Sequence, residues 1–335
     1  MAIEASAFTT SASTAPAATG ATAAMALRVA ARTEVADGVV SLTLTRPDGG
    51  RLPDWTPGAH VDLVLPNGLT RQYSLCGDRW DARSYRVAVL REAEGRGGSS
   101  FVHDHVHEGD LVGLGGPRNN FALAPAEEYH FVAGGIGITP LLPMIAQADM
   151  LGLPWRLLYG GRTRSSMAFA DELARAHGDR VSVVPEDEHG RPDLERWLPA
   201  PSPGAKVYAC GPAGLLAAVR GACADWPPGR VRTERFVAAA GDGGAGGRRF
   251  DVELRRSGTT LAVGPDQSLL QVLAEAGVHV LSSCRQGLCG TCETGVLDGV
   301  PDHRDSILDE DDRAAGDRMF VCVSRARSER LVLDL

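Results

Sequence analysis

The chain has 335 residues, 44% of them hydrophobic and 23% charged, with a formal net charge of −8 at pH 7. That length accommodates two or three domains with ordinary cores, and the negative balance argues against nucleic acid or an anionic membrane surface as partner. No apolar run reaches the roughly 18 residues needed to span a bilayer.

Residues 1–24, "MAIEASAFTTSASTAPAATGATAA", lack both a basic start and a continuous apolar stretch, so they read as a disordered tail rather than a signal peptide. A cytoplasmic protein is expected. In that compartment clustered cysteines more often bind metal or act chemically than pair as disulfides. From Met25 to Leu123, short alternating runs such as "VVSLTLTR", "HVDLVL", "LTRQYSL" and "YRVAVLR" are split by Gly, Pro and Asp turns. They predict an antiparallel barrel or sandwich, with one helical turn at "SSFVHDHV". After "APAEE", strands and helices alternate: "YHFVA" and a helix from Thr139, "WRLLYG" and a helix near Ala168 to His177, "RVSVVP", then "KVYAC" and a helix from Pro212. This pattern predicts a parallel sheet covered by helices. "AAAGDGGAGG" (Ala238 to Gly247) has the composition of a flexible linker. Beyond it lie the β-like "RRFDVELRRSGTTLAV", an amphipathic helix "SLLQVLAEAG" and a cysteine loop.

Three stretches carry chemistry. In "RQYSL", Arg71 and Tyr73 share one strand face and Ser74 takes the other, and a guanidinium beside an aromatic suits a flavin nucleotide. "GRGGSSFVHDH" places Gly97 and Gly98 before hydroxyls at a helix start, a second phosphate cradle; a barrel strand and a turn would account for both stretches on packing grounds alone. His103 and His107 fall at i, i+4, but no third ligand accompanies them and no metal is expected there.

"FVAGGIGITP" reads as a strand, a glycine turn and a helix start. Gly134, Gly135 and Gly137 let backbone approach a pyrophosphate, Thr139 caps the helix and Pro140 opens it. The spacing departs from G-x-G-x-x-G, and a plain strand–helix turn is the alternative. "YACGP", with Cys210, Gly211 and Pro212, ends a later strand at the same carboxyl edge.

Near the end of the chain Cys284-x4-Cys289-x2-Cys292, followed by Cys322, has the plant-type [2Fe–2S] spacing. Gly287 and Gly290 give that loop the freedom to wrap a cluster, and Cys322 closes the site from the β-like "MFVCVS". Zinc bound by four cysteines usually shows two Cys-x-x-Cys pairs, and here there is one. Cys76 and Cys223 read as small buried hydrophobes.

With these sites in this order, residues 25–335 resemble the phthalate dioxygenase reductase family, which includes vanillate demethylase reductases. The resemblance implies an FMN-binding β-barrel (25–124), a NAD-binding α/β domain with a parallel sheet (125–237), a linker (238–247) and a C-terminal α+β β-grasp ferredoxin domain (248–335). It implies FMN at Arg71, Gln72, Tyr73, Ser74, Gly98, Ser99, Ser100 and Phe236. It implies NADH at Gly134, Gly135, Gly137, Thr139, Pro140, Cys210, Gly211 and Pro212, with Cys210 near the nicotinamide and no acid–base residue. The cluster ligands are then Cys284, Cys289, Cys292 and Cys322.

The implied activity is that of a reductase passing electrons from NADH through FMN to [2Fe–2S] and on to a terminal oxygenase of Rieske type. The flavin is needed because a hydride carries two electrons and the cluster takes one. A cytochrome P450 is the alternative acceptor, and a non-catalytic redox sensor or a zinc-stabilised module are readings from other classes. A monomer is expected. The acidic stretch Asp298–Asp317 would steer a basic acceptor face, or be simply solvated. Arg162, Arg164, Ser165 and Ser166 in "YGGRTRSS" are placed to contact a 2′-phosphate, so NADPH stays open beside the family's tendency to NADH.

Overall fold

The computed structural model describes residues 25–237, 247–308 and 310–335, without the side chains of Glu310 and Asp311. The expected tail and all but Gly247 of the expected linker lie outside those residues. Six strands form the first sheet: β1 (Met25–Ala36), β2 (Val39–Thr45), β3 (His60–Val64), β4 (Thr70–Ser74), β5 (Ser84–Leu90) and β6 (Leu111–Arg118). Their order is β4-β3-β6-β1-β2-β5, and every pairing is antiparallel. A bridge between Leu75 and Val87 joins the end of β4 to β5 and closes the sheet into a barrel. Closure removes the exposed edges that would otherwise recruit other strands. Inside pack Leu27, Val29, Leu42, Leu44, Leu63 and Val87, supplied by the alternation of each strand. Helix α1 (Gly98–His105) follows β5, and His103 Nε2 lies 2.9 Å from the Val89 carbonyl.

The second sheet is parallel: β7 (Glu128–Gly134), β8 (Trp155–Gly161), β9 (Val181–Pro185), β10 (Ala205–Cys210) and β11 (Val231–Glu234). Its helices are α2 (Leu141–Met150), α3 (Ala170–His177), α4 (Glu186–His189), α5 (Leu194–Trp197) and α6 (Ala213–Ala222). The order β11-β10-β7-β8-β9 puts the first strand in the middle. The chain builds outward on one side of β7, then returns to build on the other. A crevice therefore opens at the carboxyl ends of β7 and β10, where ligands bind in such sheets. β7 is buried on both faces: Phe131 and Ala133 belong to one core, Val132 to another. The first of these cores also takes in Val39, Cys76, Ala88 and Phe121, so the barrel and the parallel sheet share packing. Tyr208 stitches the connection, its hydroxyl accepting from Ala124 N–H (2.7 Å) and donating to the Ala122 carbonyl (3.1 Å).

The third unit is a mixed sheet packed on one helix, a β-grasp. Its strands are β12 (Phe250–Leu254), β13 (Thr259–Val263), β14 (Glu293–Asp298), β15 (Pro301–Asp302), β16 (Arg318–Phe320), β17 (Arg325–Ala326) and β18 (Arg330–Leu333); its helices are α7 (Leu269–Glu275) and α8 (Glu310–Ala315). The main sheet runs β13-β12-β18-β14-β16, with β12 and β18 parallel. Ser268 caps α7 by accepting from Gln271 N–H at 3.2 Å, and Leu269, Val272 and Leu273 face the core. Among the described residues no helix is long and apolar enough to cross a membrane.

Two local expectations are corrected. Gly135–Ile138 form a 3-10 turn, and α2 begins only at Leu141 with Pro140 as its cap. The Thr139 hydroxyl donates to the Ile136 carbonyl at 2.9 Å and so does not cap the helix. Strand β16 stops at Phe320, and Cys322 sits in the turn that follows, where the Val323 and Ser324 N–H groups donate to Phe320. A strand would hold successive side chains to opposite faces; the turn frees the Cys322 thiol to meet Cys292.

Candidate functional site

One cleft draws on all three units. It holds a cavity of about 180 Å³ that is partly open to solvent. The barrel contributes Arg71, Gln72, Tyr73 and Ser74 from β4 together with Gly98 and Ser99. The parallel sheet contributes Ile136, Thr139, Glu234, Arg235 and Phe236, and the cysteine loop Ser283, Cys284, Gln286 and Leu288. Ser74 borders the cleft although it alternates with Tyr73 along β4. Ser100 is not among the lining residues.

Arg71 lies over Gly98 so closely that a Cβ there would sit 2.4 Å from its Cγ and Nε. Its Nη1 donates to the Thr70 carbonyl at 2.8 Å and its Nη2 to the Arg96 carbonyl. The first N–H groups of α1 have no partner within the helix, and they begin at Gly98, beneath that guanidinium. With Arg96 also lining the cleft, the residues fit a phosphate monoester. Ser99 turns its hydroxyl away, accepting from Glu92 N–H at 3.1 Å. Tyr73 is enclosed enough for burial to push its phenol well above the ordinary range. Phe236 is 39% exposed at the cleft wall, an aromatic face that a flat ring would cover.

The nucleotide motifs meet at the switch point. A Cβ on Gly137 would fall 2.2 Å from the Cys210 carbonyl oxygen, and one on Gly134 2.7 Å from Pro212 Cδ. Gly135 has φ +54, a left-handed conformation that suits glycine. Gly211 packs against Gly134 in turn, its Cβ position 3.0 Å from Gly134 Cα. The crevice is thus glycine-lined backbone, as a pyrophosphate needs. Cys210 brings its carbonyl there, while its side chain is wholly buried; burial, then the neighbouring Glu234, push its thiol well above the ordinary range.

The cysteine loop is built around sulfur. Gly287 and Gly290 have φ of +68 and +76, and Arg285 takes a left-handed φ of 55 that few non-glycine residues adopt. This winding aims the N–H groups of Gln286 and Leu288 at Cys284 Sγ (3.3 and 3.4 Å) and that of Thr291 at Cys289 Sγ (3.4 Å). The sulfurs come as two neighbouring pairs, Cys284 with Cys289 and Cys292 with Cys322. Cys284, chiefly, holds the Cys289 thiol below the ordinary range. Among the described residues no three His, Cys, Asp or Glu side chains gather as one ion would require. Two pairs are what two bridged irons need, so the donor set fits [2Fe–2S].

Comparison with known proteins agrees. The model of the 2Fe-2S iron-sulfur cluster binding domain matches residues 252–327. The chain is 44% identical over 316 residues to phenoxybenzoate dioxygenase subunit beta of Ectopseudomonas oleovorans, covering 93% of this chain and 98% of that one. It is 40% identical to the solved phthalate dioxygenase reductase, described as a modular structure for electron transfer from pyridine nucleotides to [2Fe-2S], with a TM-score of 0.67 over 93% of this chain and 98% of that one. The chain belongs to the phthalate dioxygenase reductase family. It is an NAD(P)H-dependent flavin and [2Fe–2S] oxidoreductase. A self-sufficient cytochrome P450 monooxygenase is also similar, at 42% identity and a TM-score of 0.86; this chain covers 41% of that one's length.

Within this phthalate dioxygenase reductase relative, several cleft residues escape a reading of motifs. Arg96 Nη2 donates to Gln286 Oε1 at 2.8 Å, tying the barrel to the cysteine loop. His60 lines the cleft beside the Cys289 backbone, held neutral by burial first and Arg118 second, with Nε2 unpartnered. Glu234 ends β11 with Oε2 enclosed and unpartnered, and burial pushes its carboxyl up to about 8. A buried-side His in "AHVDL" and a Glu two residues before Phe236 were the available signals.

Several of the described acidic side chains of Asp298–Asp317 are occupied within the fold. Asp302 pairs with Arg304 (2.9 Å), Asp298 with Arg330 (3.4 Å), and buried Asp305 accepts from the Ile307 and Leu308 N–H groups. That leaves less charge for steering an acceptor.

Proposed function

We propose that this chain is the reductase of a multicomponent oxygenase, delivering electrons from NADH to a terminal Rieske-type oxygenase. The observation that carries the reading is the single cleft shared by β4, the glycine turn and Cys284. In this reading Arg71, Arg96 and the start of α1 hold the flavin phosphate, Gln72, Tyr73 and Ser74 border the ring, and Phe236 covers it. Gly134, Gly135, Gly137, Gly211 and Pro212 admit the dinucleotide backbone. Cys284, Cys289, Cys292 and Cys322 hold the cluster. A flavin held there would supply the conversion of a two-electron hydride donor into single-electron transfer, and a cluster held by the four thiols would supply one-electron transfer. The protein's part is orientation: β4 and the β7–β10 crevice bring the two ring systems to one wall. We assign the units to residues 25–124, 125–237 and 248–335, and read the protein as a cytoplasmic monomer.

Anaerobic titration of the pure protein with NADH is expected to bleach flavin and iron–sulfur bands together. Iron–sulfur bands that persist after the flavin is reduced would sink the reading. A redox sensor would in addition fail to reduce cytochrome c. The TM-score of 0.86 to the P450 monooxygenase supports a P450 as second acceptor class; NADH consumption with each purified acceptor separates the two.

The β8 end supports NADH over NADPH. Arg164, placed for a 2′-phosphate, is instead bound to Asp171 at 2.5 Å, and Ser166 is engaged with Thr163 at 3.0 Å. Asp171→Asn is expected to release that guanidinium and improve kcat/KM for NADPH up to about fivefold, an exposed charge contact being worth at most about 1 kcal/mol. An unchanged NADH/NADPH ratio would remove Arg164 from the account.

A further inference from the structure

A second cleft opens on the opposite side of the parallel sheet from Arg164, where the β11 edge faces the loop leading to α8. It holds a cavity of about 240 Å³, partly open to solvent, and its walls are almost entirely polar side chains. Arg220 of α6 and Arg235 stand on one wall, and His303, Arg304, Asp305 and Arg313 on the other. It shares only Arg235 with the flavin cleft.

The charges do not balance. Arg304 is neutralised by Asp302 at 2.9 Å. Arg220 spends one nitrogen on the Thr233 hydroxyl at 2.6 Å. Arg313 donates to the Leu308 and Asp305 carbonyls at 3.0 and 2.6 Å, partners that leave its charge in place. Arg235 has no partner among the described residues. Among the described residues, one carboxylate stands against these three guanidinium groups, Asp305, whose Oδ2 is unpartnered. Two positive charges are left over across a boundary between two units, which is unfavourable unless an anion lies between them. Arg220 registers the strain: burial first, then Arg235 and Arg313, hold its guanidinium below the ordinary range. The His303 side chain is 6% exposed, and neither ring nitrogen has a partner; Nδ1 is 3.9 Å from Asp305 Oδ2.

We propose that this cleft binds a doubly charged tetrahedral oxyanion, held between Arg220 and Arg235 on the parallel-sheet unit and Arg313 and His303 on the cysteine-bearing unit. Guanidinium forks match such oxygens in pairs, and the excess charge equals that of a phosphate dianion. The anion clamps the two units and is separate from the nucleotide crevice, which lies at β7 and β10.

The test uses the full chain loaded with flavin and cluster, with NAD+ present to fill the nucleotide crevice. Inorganic phosphate is titrated against sodium chloride at matched ionic strength while the unfolding midpoint is followed. Phosphate is expected to raise the midpoint saturably by roughly 2–8 °C. Arg220→Gln is expected to abolish most of the rise, with NADH-dependent flavin reduction unchanged. His303→Gln, at a site without a structural hydrogen bond, serves if Arg220→Gln fails to fold, and is expected to weaken the phosphate midpoint several-fold. Equal effects of phosphate and chloride, or a rise that survives in the folded variant, would overturn the proposal.

Discussion

Replacing Cys284 by serine is expected to leave NADH able to bleach the flavin while cytochrome c reduction falls about a hundredfold or more. Loss of a mere supporting contact to a metal ligand costs 10–100-fold in affinity, and this change removes a ligand. Cys284 is the most exposed of the four thiols, the other three being buried, Cys292 and Cys322 in the β-grasp core, so substitution here disturbs packing least. Its Sγ already receives two backbone N–H groups, from Gln286 and Leu288, the kind of bond that stabilises negative charge on sulfur in a cluster. Iron content and the visible spectrum read cluster loss directly, and stopped-flow bleaching of flavin reads the upstream step. If cytochrome c reduction persisted in a cluster-free variant, electrons would be leaving from the flavin, and the linear route from β4 to the cysteine loop would be wrong.

Glu234→Gln is expected to change how stability depends on pH. Burial raises this carboxyl from its ordinary 4.5 to about 8. Below pH 4.5 both folded and unfolded chains carry the proton. Between those values the unfolded chain releases a proton that the folded chain keeps, so stability falls as pH rises; above about 8 the loss is complete. Its size is on the order of a few kcal/mol. Glutamine keeps the shape, has no charge to expose and should remove that decline. Unfolding midpoints of both proteins between pH 5 and 9 are the check. Parallel profiles would mean the carboxyl does not titrate in this window. The residue stands opposite Cys210 in the β10–β11 register and lines the flavin cleft. NADH oxidation by the wild type, and not by the variant, should therefore change over the same range.

The parts legible in the sequence were those whose chemistry is local. Three cysteines and two positive-φ glycines within nine residues define their own loop, whatever surrounds them. The strand–turn–helix of the glycine motif and the alternation in β2 and β4 are likewise short-range. Even there, local rules missed the start of α2, because the Thr139 hydroxyl found Ile136, and the turn at Cys322, because sulfur pairing outweighed strand continuation.

Charge depends on remote partners in the same way. Asp302, Asp312 and Asp298 of the acidic run each meet an arginine, Arg304, Arg318 and Arg330. The sequence alone determined which groups the chain carries: a flavin strand, a nucleotide turn and four thiols at cluster spacing. Only the tertiary structure decided that they share one cleft. Arg96 and Gln286, 190 residues apart, meet at 2.8 Å, and Glu234 and His60 enter from strands with no motif of their own. Electron transfer depends on such distances, and distances between remote segments are set by how the cores pack, which no local pattern encodes.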